Sequence, residues 1–341
     1  MRQRIRAAGF ATAILVGFQL PAFAGSAPAK PQPLNDRLVG DIIPTHDPVL
    51  IREGYRYYVF STGGGVTVKS SPDLVNWTAE PQLLGELPDW VQEAVPGAEG
   101  IWAPDIAHVN GEYRLYYSVS TFGSNRSAIG LATSPTLDRG AADYGWTDRG
   151  IVVRSMPSDD FNAIDANFIE DAEGGQWLSL GSFWSGIKLF PLDPATGKLK
   201  PGAKPLSIAQ RAAPAGAPAP VEAPFIFRHG GWYFLLVSYD YCCKGRNSTY
   251  YTVVGRSKAV TGPYLGRDGS KLMEGGGTIL LRADLQEKER YRGPGHAGVF
   301  TDEDGTTYVV YHAYDSEKKG APTLRIAPLS WDDEGWPTAV R

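Results

Sequence analysis

Cysteine is almost missing from this 341-residue chain. There are two, and they are adjacent: Cys242-Cys243. Two lone, neighbouring thiols exclude a zinc site of the usual spacing. In an oxidising compartment the pair is expected to close as a vicinal disulfide; the alternative is two packed, reduced thiols. Long apolar runs are also missing beyond the first residues, so no second stretch is long enough to span a bilayer. Nor is there a long basic block.

The opening residues read as a processing signal. Arg2, Arg4 and Arg6 precede an apolar stretch that ends in Ala22-Phe23-Ala24, an A-x-A cleavage site. Residues 1–24 are therefore expected to be a secretory signal peptide, with an uncleaved anchor helix as the alternative. Residues 25–35 are rich in Pro and Ala and read as a flexible lead-in. Residues 36–341 are expected to form one domain. Removing the signal leaves 30 basic against 37 acidic residues, a net charge of −7. Nucleic acid and anionic membranes are poor partners for such a surface, and a neutral substrate suits it better.

What is present is aromatic and turn-rich: 40 Gly, 17 Tyr and 9 Trp, with 43% hydrophobic residues. Such a chain leans toward all-β structure. Five segments share one pattern, an apolar run, a Gly-containing turn and an aromatic alternating run: "HDPVLIREGYRYYVFST", "WAPDIAHVNGEYRLYYSVS", "DANFIEDAEGGQWLSLGSF", "EAPFIFRHGGWYFLLVSYD" and "HAGVFTDEDGTTYVVYHAY". Asn110-Gly111 and Asp304-Gly305 are the strongest hairpin turns; Glu53-Gly54, Gly174-Gly175 and Gly230-Gly231 are looser versions. A second strand pair follows each segment, as in "VTVKSSPDLVNW" or "LRIAPLSWDDEGWP". Four strands in roughly 60 residues, repeated five times, predict a five-bladed β-propeller of four-stranded antiparallel blades. A sandwich or jelly roll is the alternative architecture.

In a propeller the first strand of each blade lines the central channel. The residue before it is expected at the channel mouth, which selects Asp47, Trp102, Asp165, Glu222 and His296, with Asp47 one position out of line. Three carboxylates converging in one partly dry funnel would repel one another, raising one pKa while another stays ionised. That is the requirement for acid/base cleavage of a glycosidic bond. The alternative is five strand-start caps without chemistry. The loops after the second strands should lie on the same face. They carry Phe122, Phe183, Trp184 and the cysteine pair, flat apolar groups beside small polar ones that suit stacking on sugar rings.

The motifs "HDP" (46–48), "GIWAPDI" (100–106), "NAIDAN" (162–167), "GSFWSGIK" (181–188), "VEAPFI" (221–226), "YCCKGRNSTY" (241–250) and "GPGHAG" (293–298) occur in this order and spacing. By them the sequence resembles the glycoside hydrolase family 43 arabinanases, five-bladed propellers that cut α-1,5-linked L-arabinan. The resemblance implies an arabinan endo-1,5-α-L-arabinosidase, although the motifs do not separate internal from terminal cleavage. It implies Asp47 as general base, Glu222 as general acid and Asp165 as the residue that orients that acid and tunes its pKa. It also implies inversion, with base and acid about 6.5–9.5 Å apart. Gly123, Asn162, Ala163, Ile164, Ser182, Phe183 and Trp184 would border the sugar. His296 would help to hold a channel ion, calcium, mostly through water; a structural histidine is the alternative. The implied partner is arabinan or an arabino-oligosaccharide, bound by a monomer. The competing functions are another propeller glycosidase, an α-L-arabinofuranosidase or β-xylosidase, and a non-catalytic carbohydrate-binding propeller.

Overall fold

The computed structural model describes residues 32–212, 219–285 and 290–340. The signal peptide and most of the lead-in lie outside these residues. Strand β1 (Val39–Gly40) precedes the first blade, which is β2 (Val49–Glu53), β3 (Arg56–Ser61), β4 (Thr67–Ser71) and β5 (Asn76–Glu80). A short helix, α1 (Trp90–Ala94), leads to the second blade: β6 (Trp102–Val109), β7 (Glu112–Val119), β8 (Ser127–Ser134) and β9 (Thr147–Ser155). The third blade is β10 (Asn167–Glu170), β11 (Gln176–Leu180), β12 (Ile187–Leu192) and β13 (Leu206–Ala209). The fourth is β14 (Val221–His229), β15 (Trp232–Tyr239), β16 (Tyr251–Ser257) and β17 (Thr278–Leu281). The fifth is β18 (Tyr291–Thr301), β19 (Thr307–Asp315), β20 (Ala321–Trp331) and β21 (Pro337–Ala339).

Each blade is a meander in which sequence neighbours pair antiparallel; β1 adds a parallel edge to β5. The first strands touch in the cyclic order β2, β6, β10, β14, β18 and back to β2. The fold is a five-bladed β-propeller.

Alternation along the strands explains the packing. Successive side chains of β3 point to opposite faces, so Val59 enters the cluster shared with blade five while Phe60 enters the one shared with blade two. Phe234 and Leu236 face blade five, and Leu235 between them faces blade three. Five hydrophobic clusters result, one in each gap between blades. Burial of both faces accounts for the continuous apolar runs seen in the second strands.

The gap between blades five and one is closed by the incoming chain. Leu34 and Leu38 pack with Val310, Leu324 and Ile326. Asn35 donates to the Tyr311 hydroxyl at 3.1 Å and accepts the Ile326 N–H at 2.8 Å. The flexible lead-in expected through residue 35 therefore ends earlier, because Leu34 and Asn35 are buried in that joint.

Candidate active site

The five strand heads share a backbone device. Asp47, Ala103, Asp165, Ala223 and His296 all have left-handed φ, at 52°, 32°, 60°, 55° and 49°. A side chain on such a residue costs energy, so the conformation needs surrounding bonds to hold it. Each N–H finds an acceptor at the preceding blade. Ala103 donates to Thr62 Oγ1 (2.8 Å), Asp165 to Ser118 Oγ (2.9 Å) and His296 to Ser238 Oγ (2.9 Å). Asp47 donates to His312 Nδ1 (3.1 Å), which carries the pattern across the closing joint. At blade four the pattern changes: Gly181 stands where the hydroxyl would be, and Ala223 donates instead to Asp165 Oδ2 (3.1 Å).

This corrects the sequence alignment. Asp47, Asp165 and His296 occupy the left-handed position, whereas Trp102 and Glu222 stand one residue before it. Glu222 is also not ahead of its strand. It is the second residue of β14, opposite Ser238, with a register shift immediately after it.

Asp47 is buried among donors. Thr62 Oγ1 donates to its Oδ2 at 2.6 Å, His46 Nδ1 lies 2.8 Å from Oδ2, and His296 Nδ1 lies 3.0 Å from Oδ1. Burial pushes this carboxyl upward, but His46 and His296 outweigh it and hold the group well below the ordinary range. Glu222 has the opposite surroundings. Burial raises its pKa, and although Ser182 Oγ donates to Oε2 (2.6 Å) and Tyr250 Oη to Oε1 (2.7 Å), the net direction stays upward. Asp165 is raised well above the ordinary value, by burial first, with Glu222 and Asp47 adding to it against His296. His296 would be discharged by burial alone; the charge and hydrogen bond of Asp47 prevail and lift it to about 9.

The aromatic positions differ in exposure. Phe122 is 86% exposed, and Gly123 beside it is also exposed. Trp102, Phe183 and Trp184 are half-buried, and the Phe183 ring lies 6.0 Å from Tyr241. Ser182 is buried against Glu222 rather than free toward a ligand. Asn162 is buried and accepts from Ser127 Oγ at 2.7 Å. Ala163 has no exposed surface and belongs to the core between blades two and three; its expected place beside a sugar is corrected. Ile164 is likewise buried, next to Asp165. Cys242 and Cys243 are bonded to each other.

The donors near His296 fit a hard cation only through water. Its Nδ1 is taken by Asp47, and among the described residues no group of three His, Cys, Asp or Glu that could hold a metal includes it. Its Nε2 could ligate an ion directly only with the ring neutral, and Asp47 favours the charged ring, so water would stand between His296 and the ion. His312 cannot assist: its Nδ1 accepts the Asp47 N–H, so its buried, unpartnered Nε2 carries a proton.

Sequence reasoning did not select His46, Thr62, Tyr250 or His312. His46 was visible beside Asp47 in "HDP", whereas the other three lie on strands or loops whose proximity only the folded ring creates.

The sequence profile of Glycosyl hydrolases family 43 matches residues 42–337. The chain is 44% identical over 304 residues to an extracellular exo-α-(1→5)-L-arabinofuranosidase of Cellvibrio japonicus, covering 86% of each. It is 44% identical over 298 residues to an extracellular endo-α-(1→5)-L-arabinanase of Bacillus subtilis, covering 86% of this chain and 87% of the relative. Among solved structures, a Cellvibrio cellulosa α-L-arabinanase complexed with arabinohexaose superposes with a TM-score of 0.83 at 41% identity, covering 88% of this chain and 96% of that one.

Proposed function

This chain belongs to glycosyl hydrolase family 43, and from that premise we propose that it is a secreted enzyme that cuts α-1,5-L-arabinofuranosidic linkages within arabinan, with inversion. The family makes it a glycosidase. The observation that carries the finer reading is the opposite treatment of two buried carboxylates, Asp47 among donors that keep it charged and Glu222 in surroundings that favour its proton.

In the proposed step Glu222 gives its proton to the departing glycosidic oxygen as that carbon–oxygen bond breaks. Water forms the new bond to the anomeric carbon from the opposite side and passes a proton to Asp47. Asp165 orients the acid through the backbone, since its Oδ2 accepts the N–H of Ala223, the residue after Glu222. Trp102, Phe122, Phe183 and Trp184 offer flat surfaces for furanose rings. Support for arabinan comes from relatives named for it and from the one solved with arabinohexaose. The A-x-A signature and the extracellular relatives support export. A calcium ion held through water beside His296 would add positive charge facing the carboxylates. Chelation should then lower thermal stability, and added Ca²⁺ should restore it.

Asp47→Ala and Glu222→Ala should each reduce kcat on linear arabinan by about 10²–10⁴, with the fold retained by circular dichroism. A Glu222→Ala variant with near wild-type turnover sinks the assignment. Mixed oligosaccharides early in the time course are expected; release of one short product from the start would show terminal cleavage instead. Faster turnover of an aryl-xyloside than of arabinan would favour a xylosidase.

A further inference from the structure

We propose that His46 and Tyr314 are positioning residues for Asp47, tied to the Cys242–Cys243 loop, so that a bonded chain from blades four and five sets the angle of a carboxylate on blade one. This rests on the assignment of Asp47 as general base.

The bonds run in one direction. The Cys243 N–H donates to the Tyr314 hydroxyl at 2.8 Å. The Tyr314 hydroxyl lies 2.7 Å from His46 Nε2, and His46 Nδ1 lies 2.8 Å from Asp47 Oδ2. Tyr314 is buried and keeps its phenolic proton, since burial raises its pKa. Cys243 N–H donates to that oxygen, the Ser248 hydroxyl also faces it, and His46 Nε2 completes its partners. The bond at Nε2 fixes the turn of the imidazole and directs Nδ1 at Asp47 Oδ2. The ring is further held by stacking on His312, with centroids 3.9 Å apart and planes 23° from parallel. His312 in turn accepts the Asp47 N–H.

Asp47 needs such support because its backbone is left-handed and lies outside the β2 ladder. The strand does not dictate where its carboxylate points. Thr62 restrains Oδ2 from the same blade and His296 restrains Oδ1 from blade five. His46 is a sequence neighbour, so it can hold Asp47 only if something else holds His46. Tyr314 and the Cys243 backbone do so. A misplaced catalytic group costs turnover more than binding.

The test uses full-length enzyme on linear arabinan. His46→Ala and Tyr314→Phe should each lower kcat about tenfold or more, with KM within about twofold. His46→Asn, whose amide nitrogen takes the place of Nδ1, should recover part of the loss. In the His46→Ala/Tyr314→Phe double variant the losses should not multiply, because either change breaks the same chain. Melting temperatures are measured alongside; Tyr314→Phe keeps the ring and its packing, so it decides the matter if His46→Ala fails to fold. Wild-type kcat in Tyr314→Phe, or losses that multiply in the double variant, overturns the proposal. Asp47→Ala is assayed in parallel. If it turns over normally, the base assignment itself fails; if it is inactive while the other variants behave as wild type, only the positioning chain is lost.

Discussion

Glu222 sits between two hydroxyls that both stabilise its charged form, yet burial keeps it inclined to hold its proton. A general acid works below its pKa, so a raised pKa moves the alkaline limb of kcat/KM to higher pH. Tyr250→Phe removes one donor to Oε1 and should move that limb further upward; an unmoved or lowered limb in the pH–rate profile would contradict this. The two hydroxyls mark what was readable at this scale. Asp47, Asp165 and Glu222 could be found from repeated strand heads. The groups that divide their protonation states could not, because Tyr250, Thr62 and His312 are 28, 15 and 265 residues from their partners. Ala163 was misplaced because "NAIDAN" looks like one surface motif, whereas the tight bend before Asp165 turns that alanine into the core.

The recurring element is a left-handed residue bonded to the previous blade. Thr62 serves it twice, accepting the Ala103 N–H and donating to Asp47. Thr62→Val keeps the shape but leaves that N–H unpaired, so stability should fall by about 1–3 kcal/mol, and kcat with it. Urea denaturation together with initial rates would check both. Ala103→Val places a β-branched residue at φ 32° in a buried site and should destabilise by about 2 kcal/mol or more without touching the carboxylates. A normal midpoint would show that the strand heads tolerate branching. The meanders were legible from turns and alternation. Gly230-Gly231, read as a looser turn, is a two-residue hairpin loop with both φ positive, as tight as Asn110-Gly111. Asp304-Gly305 instead lies in a five-residue loop, since Thr301 pairs with Thr307. Composition marks a turn more readily than its length. The fourth strands were harder: in blade four, β17 begins 21 residues after β16 ends, and no periodicity bridges that interval.

For the molecule as a whole the closing joint matters most. Other gaps are bridged by continuous chain, whereas blades five and one are joined by packing, by the arm at Leu34 to Leu38 and by non-covalent bonds that include those to Asn35, His46, Asp47 and Tyr57. Asn35→Ala leaves the Ile326 N–H without its acceptor and should cost about 2 kcal/mol. Residual activity after heating should then fall in step with the calorimetric transition; activity lost well below the transition would mean that the site opens before the joint.

The joint also governs timing. The proposed base is made early in the chain, yet His296, His312 and Tyr314, which surround or brace it, are made some 250 residues later. Without the fifth blade, Asp47 would lack the groups that hold it charged and aimed. On this assignment hydrolysis begins in a single step, when the fifth blade docks, and a chain interrupted before residue 296 can carry the acid and the aromatic wall without cutting anything.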